Sequence, residues 1–205
     1  MTVELEWWGT DVPYKTAWER QHARRDALIA GKGTPCLALL EHRGVITTGR
    51  RPVDLSGLED IDTFRAERGG LATWHGPGQL VGYLLCDVWA LGLGAKSTVC
   101  AVENGLMAWL RGFDLEPCRR TGFPGVWLEG RKIAAVGMHF RRGHSMHGFA
   151  LNLTVDDAPW DRFQPCGITD AGVVSLHELR PNAPCPEAAA DPVGKCVLAA
   201  LGAGG

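Results

Sequence analysis

Residues 68–83 read Arg-Gly-Gly-Leu-Ala-Thr-Trp-His-Gly-Pro-Gly-Gln-Leu-Val-Gly-Tyr, and the reading of this stretch organises the rest of the chain. It holds too many glycines for a packed strand and too many apolar residues for a solvated loop. Divided at its glycines, it predicts a tight turn over Arg68, Gly69 and Gly70, and a short strand through Leu71, Ala72, Thr73, Trp74 and His75. A sharp corner at Gly76-Pro77-Gly78 and a buried strand over residues 79–88 complete it. Glycine lets backbone N–H groups come close to a ligand, and Thr73, His75 and Gln79 supply hydrogen-bonding side chains around the same corner. This is the composition of a binding wall, and equally of a hairpin that merely needs flexible corners.

Upstream, residues 3–8 read as a strand. Asp11 and Pro13 start a helix on which Trp18, His22, Leu28 and Ile29 fall near one face, before Gly31 and Gly33 end it. Residues 36–41 and 45–48 are β-type runs separated by Arg43-Gly44, a hairpin-like spacing, and residues 55–67 are weakly patterned. Downstream, the segment 90–98 invites comparison with a phosphate loop but carries Ala90 and Ala95 where that motif needs glycine. It reads instead as a loop entering a helix capped by Ser97 or Thr98, with Val99, Val102, Leu106 and Leu110 on the buried face and Gly112 at the end. Residues 125–128, 132–140 and 146–155, joined by turns at Glu129-Gly130 and Arg141-Arg142-Gly143, form a strand meander. Asp191-Pro192 has the form of an N-cap and first helical residue, which predicts a last helix over residues 192–201. The fold class is α/β, a mixed sheet with flanking helices, in a single domain over residues 1–205.

A formal net charge of −2 argues against nucleic-acid binding; the arginine pairs at 24–25, 50–51, 119–120 and 141–142 read as solvated surface or as a local patch for an acidic protein partner. The N-terminus has neither a basic nor an apolar region of a secretory signal, and the apolar run after Gln79 is cut by Asp87, so no membrane span is expected. Seven cysteines, an odd number scattered without a CxxC pair, fit free thiols in a reducing cytoplasm.

Cys166 lies in Gln-Pro-Cys-Gly-Ile, where Pro165 blocks a preceding helix and Gly167 leaves room beside the sulfur, as a nucleophile needs. Cys36, Cys86, Cys100 and Cys196 fall in apolar-periodic segments and read as core, and Cys118 and Cys185 follow prolines in loops. Lys132 opens the strand Lys-Ile-Ala-Ala-Val-Gly; it reads either as a solvated strand end or as the partner that activates a cysteine thiol. His139, His144 and His147 need not converge along a strand and turn and have no cysteine locally spaced beside them, so no metal site is expected. His147 reads instead as a residue that helps to shape the site.

Four ordered motifs carry a resemblance: Arg-Gly-Gly through His-Gly-Pro-Gly-Gln at 68–79, Lys-Ile-Ala-Ala-Val-Gly at 132–137, His-Gly-Phe-Ala-Leu-Asn at 147–152, and Pro-Cys-Gly-Ile at 165–168. Over roughly residues 41–179 the chain resembles the octanoyltransferases of lipoate biosynthesis. It departs from them at Trp74, where another aromatic is usual, and over Gly44-Val45-Ile46-Thr47. The resemblance implies the biotin and lipoate protein ligase type of α/β fold, Cys166 as nucleophile and Lys132 as its activator. It further implies an acyl site lined by Arg68, Gly69, Gly70, Leu71, Ala72, Thr73, Trp74 and His75, by Ala135, Val136 and Gly137, and by Gly148, Phe149 and Ala150. Octanoyl acyl carrier protein would be the donor. Lipoyl domains of 2-oxoacid dehydrogenase complexes and the glycine cleavage H protein would be acceptors, with no cofactor. An ATP-dependent lipoate ligase on a similar fold and a non-catalytic module that binds lipoyl domains or acyl carriers are the rival expectations.

Overall fold

The computed structural model describes residues 1–49, 53–68, 71–156, 159–162 and 171–203. In chain order the elements are β1 (Glu4–Trp7), α1 (Tyr14–Ile29), β2 (Cys36–Leu40), β3 (Val45–Thr48), β4 (Thr63–Arg65), β5 (Thr73–His75) and β6 (Gln79–Leu85). There follow α2 (Ala95–Arg111), β7 (Cys118–Arg120), β8 (Phe123–Leu128), β9 (Arg131–Arg141), β10 (His144–Asn152), a 3-10 turn (Pro159–Arg162), α3 (Leu176–Leu179) and α4 (Pro186–Ala200).

A seven-stranded sheet has the order β1-β2-β6-β10-β9-β8-β7. β1 runs parallel to β2, and every other pair is antiparallel. The central strands β2 and β6 are buried at every position, because both faces of the sheet are covered and neither side of the strand meets water. On one face α2 and α4 pack over Leu37, Leu39, Leu80, Leu84, Phe149 and Leu151. On the other, α1 covers Ala38, Leu40, Val81, Tyr83, Met146 and Ala150. α2 and α4 touch backbone to backbone at Gly105, where a Cβ would stand 2.5 Å from the Val197 Cα.

The expected meander is β8-β9-β10, and its turns explain its register. Glu129 and Gly130 have φ of 50° and 78°, and Arg142 and Gly143 have 52° and 80°. Two successive positive φ values give the turn twist that matches antiparallel strands, and glycine at the second position lowers its cost.

Four expectations change. β2 and β3 are not a hairpin: β3 belongs to a separate three-stranded sheet of order β4-β3-β5. The chain between them is used elsewhere, since Glu41 and Arg43 N–H groups bond Gly9 O and Val12 O. Helix α1 buries Tyr14, Ala17, Gln21 and Arg25 rather than Trp18, His22, Leu28 and Ile29, which are only half-buried. Polar partners make that face possible. Gln21 Oε1 accepts the His147 N–H at 2.9 Å, and the Arg25 guanidinium reaches the Met146 sulfur. Helix α2 starts one turn earlier than expected, with Gly94 as N-cap; Ser97 Oγ accepts the Gly94 N–H, and Thr98 donates to the Gly94 carbonyl. Helix α4 begins at Pro186, where the missing N–H costs nothing, and continues through Pro192. That proline is exposed, as is Ala188, whose carbonyl has no N–H to accept from position 192.

Candidate active site

Strand β5 shows how the opening motif is divided between two environments. Side chains alternate along a strand: Thr73 and His75 line a cavity of about 600 Å³, while Trp74 turns away into a cluster with Ile46, Leu58, Ala72 and Val155. Its ring packs edge-on against Trp160, centroids 5.8 Å apart. Ala72 is in the same cluster, so neither Ala72 nor Trp74 lines the cavity.

The Gly-Pro-Gly corner is packed rather than loose. The Gly78 carbonyl accepts the N–H groups of Leu153 and Thr154, and a Cβ on Gly78, whose φ is +81°, would lie 2.4 Å from Thr154 O. Behind the corner a polar chain fixes His75. Asn152 Nδ2 donates to Val174 O (3.2 Å), Gln79 Nε2 donates to Asn152 Oδ1 (2.9 Å), and His75 Nδ1 meets Gln79 Oε1 (2.7 Å). Because an amide oxygen only accepts, His75 carries its proton on Nδ1. His42 is held likewise, donating from Nδ1 to Val12 O (2.8 Å) and accepting the Tyr83 hydroxyl at Nε2 (2.6 Å).

Burial sets the charge of this wall. It pushes His42 down to about 4, His75 well below its ordinary value and His147 to about 3. It raises Tyr14 to about 12 and Tyr83 well above the usual phenol range. A charged form loses water and gains too little in return, so all five groups are neutral near pH 7. Arg68 stands among them, its guanidinium donating to Thr47 O (2.7 Å) and Oγ1 (2.9 Å).

Lys132 is buried at 5% exposure. The reading of it as a solvated strand end is therefore set aside. Its Nζ donates to Pro124 O at 3.2 Å and lies 5.0 Å from the Trp127 ring. Its backbone is bridged in parallel to Val173, with the Lys132 N–H on Gly172 O and the Val174 N–H on Lys132 O, both 3.0 Å. The chain seven residues after Cys166 thus runs beside Lys132. Cys166, Gly69 and Gly70 lie outside the described residues.

Among the expected site residues, Lys132, Arg68, Leu71, Thr73, His75, Ala135, Val136, Gly137, Gly148, Phe149 and Ala150 share this one cavity. Gly137 and Gly148 face each other across β9 and β10, and a Cβ on Gly148 would come within 2.3 Å of Gly82 O. Sequence reading named neither Tyr14, Val81 and Tyr83 nor Val99, Met138 and Phe140 as lining residues. Alternation along β6 could have found Val81 and Tyr83; nothing local marks Tyr14. Of the other thiols, Cys36 and Cys86 are buried and pushed up to about 12 and about 11 by that burial. Cys100 and Cys196 are half-buried, and Cys118 and Cys185 are exposed, with Cys118 opening β7.

Comparisons with known proteins agree with this architecture. The octanoyltransferase of Mycobacterium sp. (strain KMS) is 44% identical over 186 residues, covering 85% of this chain and 75% of the relative. The fold is similar to that of a bi-partite lipoate protein ligase from Thermoplasma acidophilum (TM-score 0.64, 17% identity, 98% of this chain and 82% of that one). It is also similar to the biotin protein ligase of Aquifex aeolicus (TM-score 0.57, 10% identity, 98% and 71%). With residues 13–198 matching its family model, the chain belongs to the lipoyl protein ligase A/B catalytic domain family.

Proposed function

We propose that this chain is an acyltransferase that moves an octanoyl group from acyl carrier protein to a lysine of lipoyl domains, through a thioester on Cys166. The observation that carries the reading is the buried Lys132 in the wall of a cavity whose lining includes the apolar side chains of Val81, Val99, Val136, Met138, Phe140 and Phe149. An amine shielded from water beside apolar walls is suited to accept a proton, and those walls suit an alkyl chain at about 0.8 kcal/mol per buried methylene.

In the first step Lys132 Nζ takes the Cys166 thiol proton and the thiolate adds to the thioester carbonyl carbon. The carrier thiolate leaves and takes that proton, so one thioester replaces another. In the second step the neutral acceptor lysine amine attacks the acyl-enzyme, the Cys166 thiolate leaves, and the proton lost by the amine passes through Lys132 Nζ to that thiolate as the amide forms. A thioester already carries the activation that a free acid would need from ATP.

Arg68, Gly69, Gly70, Leu71, Thr73 and His75, with residues 135–137 and 148–150, hold the acyl chain in this reading. Ala72 and Trp74 support the strand from behind. Acceptors are the lipoyl domains of 2-oxoacid dehydrogenase complexes and the glycine cleavage H protein, and residues 1–205 act as one catalytic domain in the cytoplasm. Among the described residues no helix is long and apolar enough to cross a membrane.

The test is the intact mass of the protein after mixing with octanoyl acyl carrier protein in the absence of ATP, beside Cys166→Ala. An octanoyl adduct sensitive to hydroxylamine, on the wild type alone, is expected. An unconsumed carrier thioester, with product forming only from free acid and ATP, would replace this reading by a ligase. Partner binding without any transfer would replace it by a binding module.

A further inference from the structure

The pairing of β8 with β9 is irregular beside Lys132. Val126 is opposite Ala134 but Trp127 is opposite Lys132, so β9 carries one more residue here than β8. The extra residue is Ile133, and a bulge of this kind re-aims side chains. In a regular strand Lys132 and Ala134 would share a face. Instead Ile133 and Ala134 both enter the core with Leu106 and Leu110, while Lys132 and Ala135 both line the cavity. The bulge brings the lysine to the cavity, but it does not fix where the amine at the end of a flexible stem comes to rest.

Pro124 O accepts from Lys132 Nζ at 3.2 Å. The other side of the same peptide group, the Gly125 N–H, donates to Glu103 Oε1 at 2.8 Å. Gly125 has φ +134°, and a Cβ there would strike Ala134 O, so only glycine can follow Pro124 in this position. Glu103 reaches the peptide from α2 and is 4% exposed, a depth at which glutamate is rare unless it is paired. Its Oε2 accepts from Arg119 Nε of β7 at 2.5 Å. Arg119 also donates to Cys100 O and Asn104 Oδ1, both at 2.8 Å. The tie between β7 and α2 is therefore complete on Oε2 and these two acceptors. Oε1 is turned to the peptide that holds the lysine.

We propose that Glu103 is a positioning residue for Lys132, acting through the Pro124–Gly125 peptide. The proposal rests on the acyl-transfer reading above. A carboxylate on the N–H side polarises the peptide toward its carbonyl oxygen, and hydrogen bonds in a chain strengthen one another. Pro124 O is thus aimed, because its peptide is pinned from the far side, and it is made a stronger acceptor. An ammonium gains more from such an acceptor than an amine does. The gain is realised when Lys132 Nζ has taken the thiol proton, and Glu103 itself neither gains nor loses one. Arg119 offsets the charge of the carboxylate, so the effect runs through the peptide rather than through a long-range field. Arg120, stacked on Phe123 and Trp127 with its guanidinium carbon 4.8 and 5.0 Å from their ring centres, is the neighbouring cation of β7.

The test compares the wild type with Glu103→Leu, which removes both charge and acceptor, and Glu103→Gln, which keeps an oxygen for the Gly125 N–H. Acetylation of Lys132 by acetic anhydride is followed against pH by peptide mass, and transfer from octanoyl acyl carrier protein is resolved into kcat and KM. With a weaker hold on the ammonium, the midpoint of acetylation is expected to move to lower pH in Glu103→Leu and by less in Glu103→Gln. In Glu103→Leu kcat is expected to fall about tenfold with KM unchanged, and Glu103→Gln is expected to restore most of it. A wild-type acetylation midpoint in a Glu103→Leu protein with native circular dichroism overturns the proposal. Equal shifts in the two variants assign the effect to charge alone and overturn the route through the peptide. A rise in KM at unchanged kcat places Glu103 in substrate binding and overturns it as well. Should Glu103→Leu not fold, Glu103→Gln decides, because an amide oxygen is a weaker acceptor than a carboxylate and an unmoved midpoint then overturns the proposal. A wild type that transfers nothing would defeat the transfer reading alone, because acetylation still reports how Glu103 holds Lys132.

Discussion

Gln79 and Asn152 face each other across β6 and β10 and are joined by a 2.9 Å hydrogen bond from Gln79 Nε2 to Asn152 Oδ1. They are the last polar residues of two sequence motifs 73 positions apart, and through them the corner at Gly76-Pro77-Gly78 and the strand after His147 become one unit. The same Gln79 holds the tautomer of His75, so the link carries the structure of the cavity wall as well as its stability.

Replacing Gln79 by Leu leaves His75 Nδ1 and Asn152 Oδ1 buried without this partner. An unsatisfied buried group costs about 1–3 kcal/mol, and urea unfolding should show a loss of that order. Because the two residues share one network, Gln79→Leu combined with Asn152→Leu should cost measurably less than the sum of the single variants.

Lys132→Met preserves the length of the buried side chain and its packing near Trp127 while removing the amine. Acyl transfer should fall by about 10²–10⁴-fold, the range for loss of a positioned acid or base. The midpoint of thermal unfolding should change little by comparison. Normal turnover would exclude Lys132 from the proposed dyad.

Acid should destabilise the protein through its buried histidines. The pKa of His42 falls from 6.5 to about 4 and that of His147 to about 3 on folding, and His75 moves in the same direction. Below pH 6.5 the unfolded chain therefore binds protons that the folded chain refuses. Unfolding free energy should decline as pH drops from about 6.5 toward the folded values, and this contribution should level off below them. His42→Asn should reduce the proton uptake on unfolding at pH 5 by about one, measured from the pH dependence of the urea midpoint.

Gly105→Val tests the contact between α2 and α4. Even a Cβ would lie 2.5 Å from Val197 Cα and 2.8 Å from Cys196 O, and backbone atoms cannot step aside as a flexible side chain can. Separating the helices should cost about 1–3 kcal/mol. A variant as stable as the wild type in thermal unfolding would mean that the two helices are not closely seated.

The sequence by itself determined the parts of this protein that depend on neighbours along the chain. Alternation and paired turn residues mark β8, β9 and β10; an unbroken apolar run marks β6; and helical spacing marks most of the buried face of α2, from Val102 to Leu110. The motifs also named about half of the residues around the cavity, because the residues of one motif lie together on one or two neighbouring strands. Tertiary structure decided what depends on distant partners. The buried face of α1 carries Gln21 and Arg25, which no hydrophobic pattern would select, because His147 and Met146 supply their contacts from more than 100 residues away. β2 and β3 part into different sheets because residues 41–43 bond to 9–12 instead of to each other. Lys132 looks like a solvated strand end until Pro124, Trp127 and Val173 close around it. His147 meets Tyr83 edge-on from a left-handed position in β10, at φ +59°, which no strand alternation would place there. Periodicity records which way a side chain points; burial, charge state and partnership are set by what folds against it.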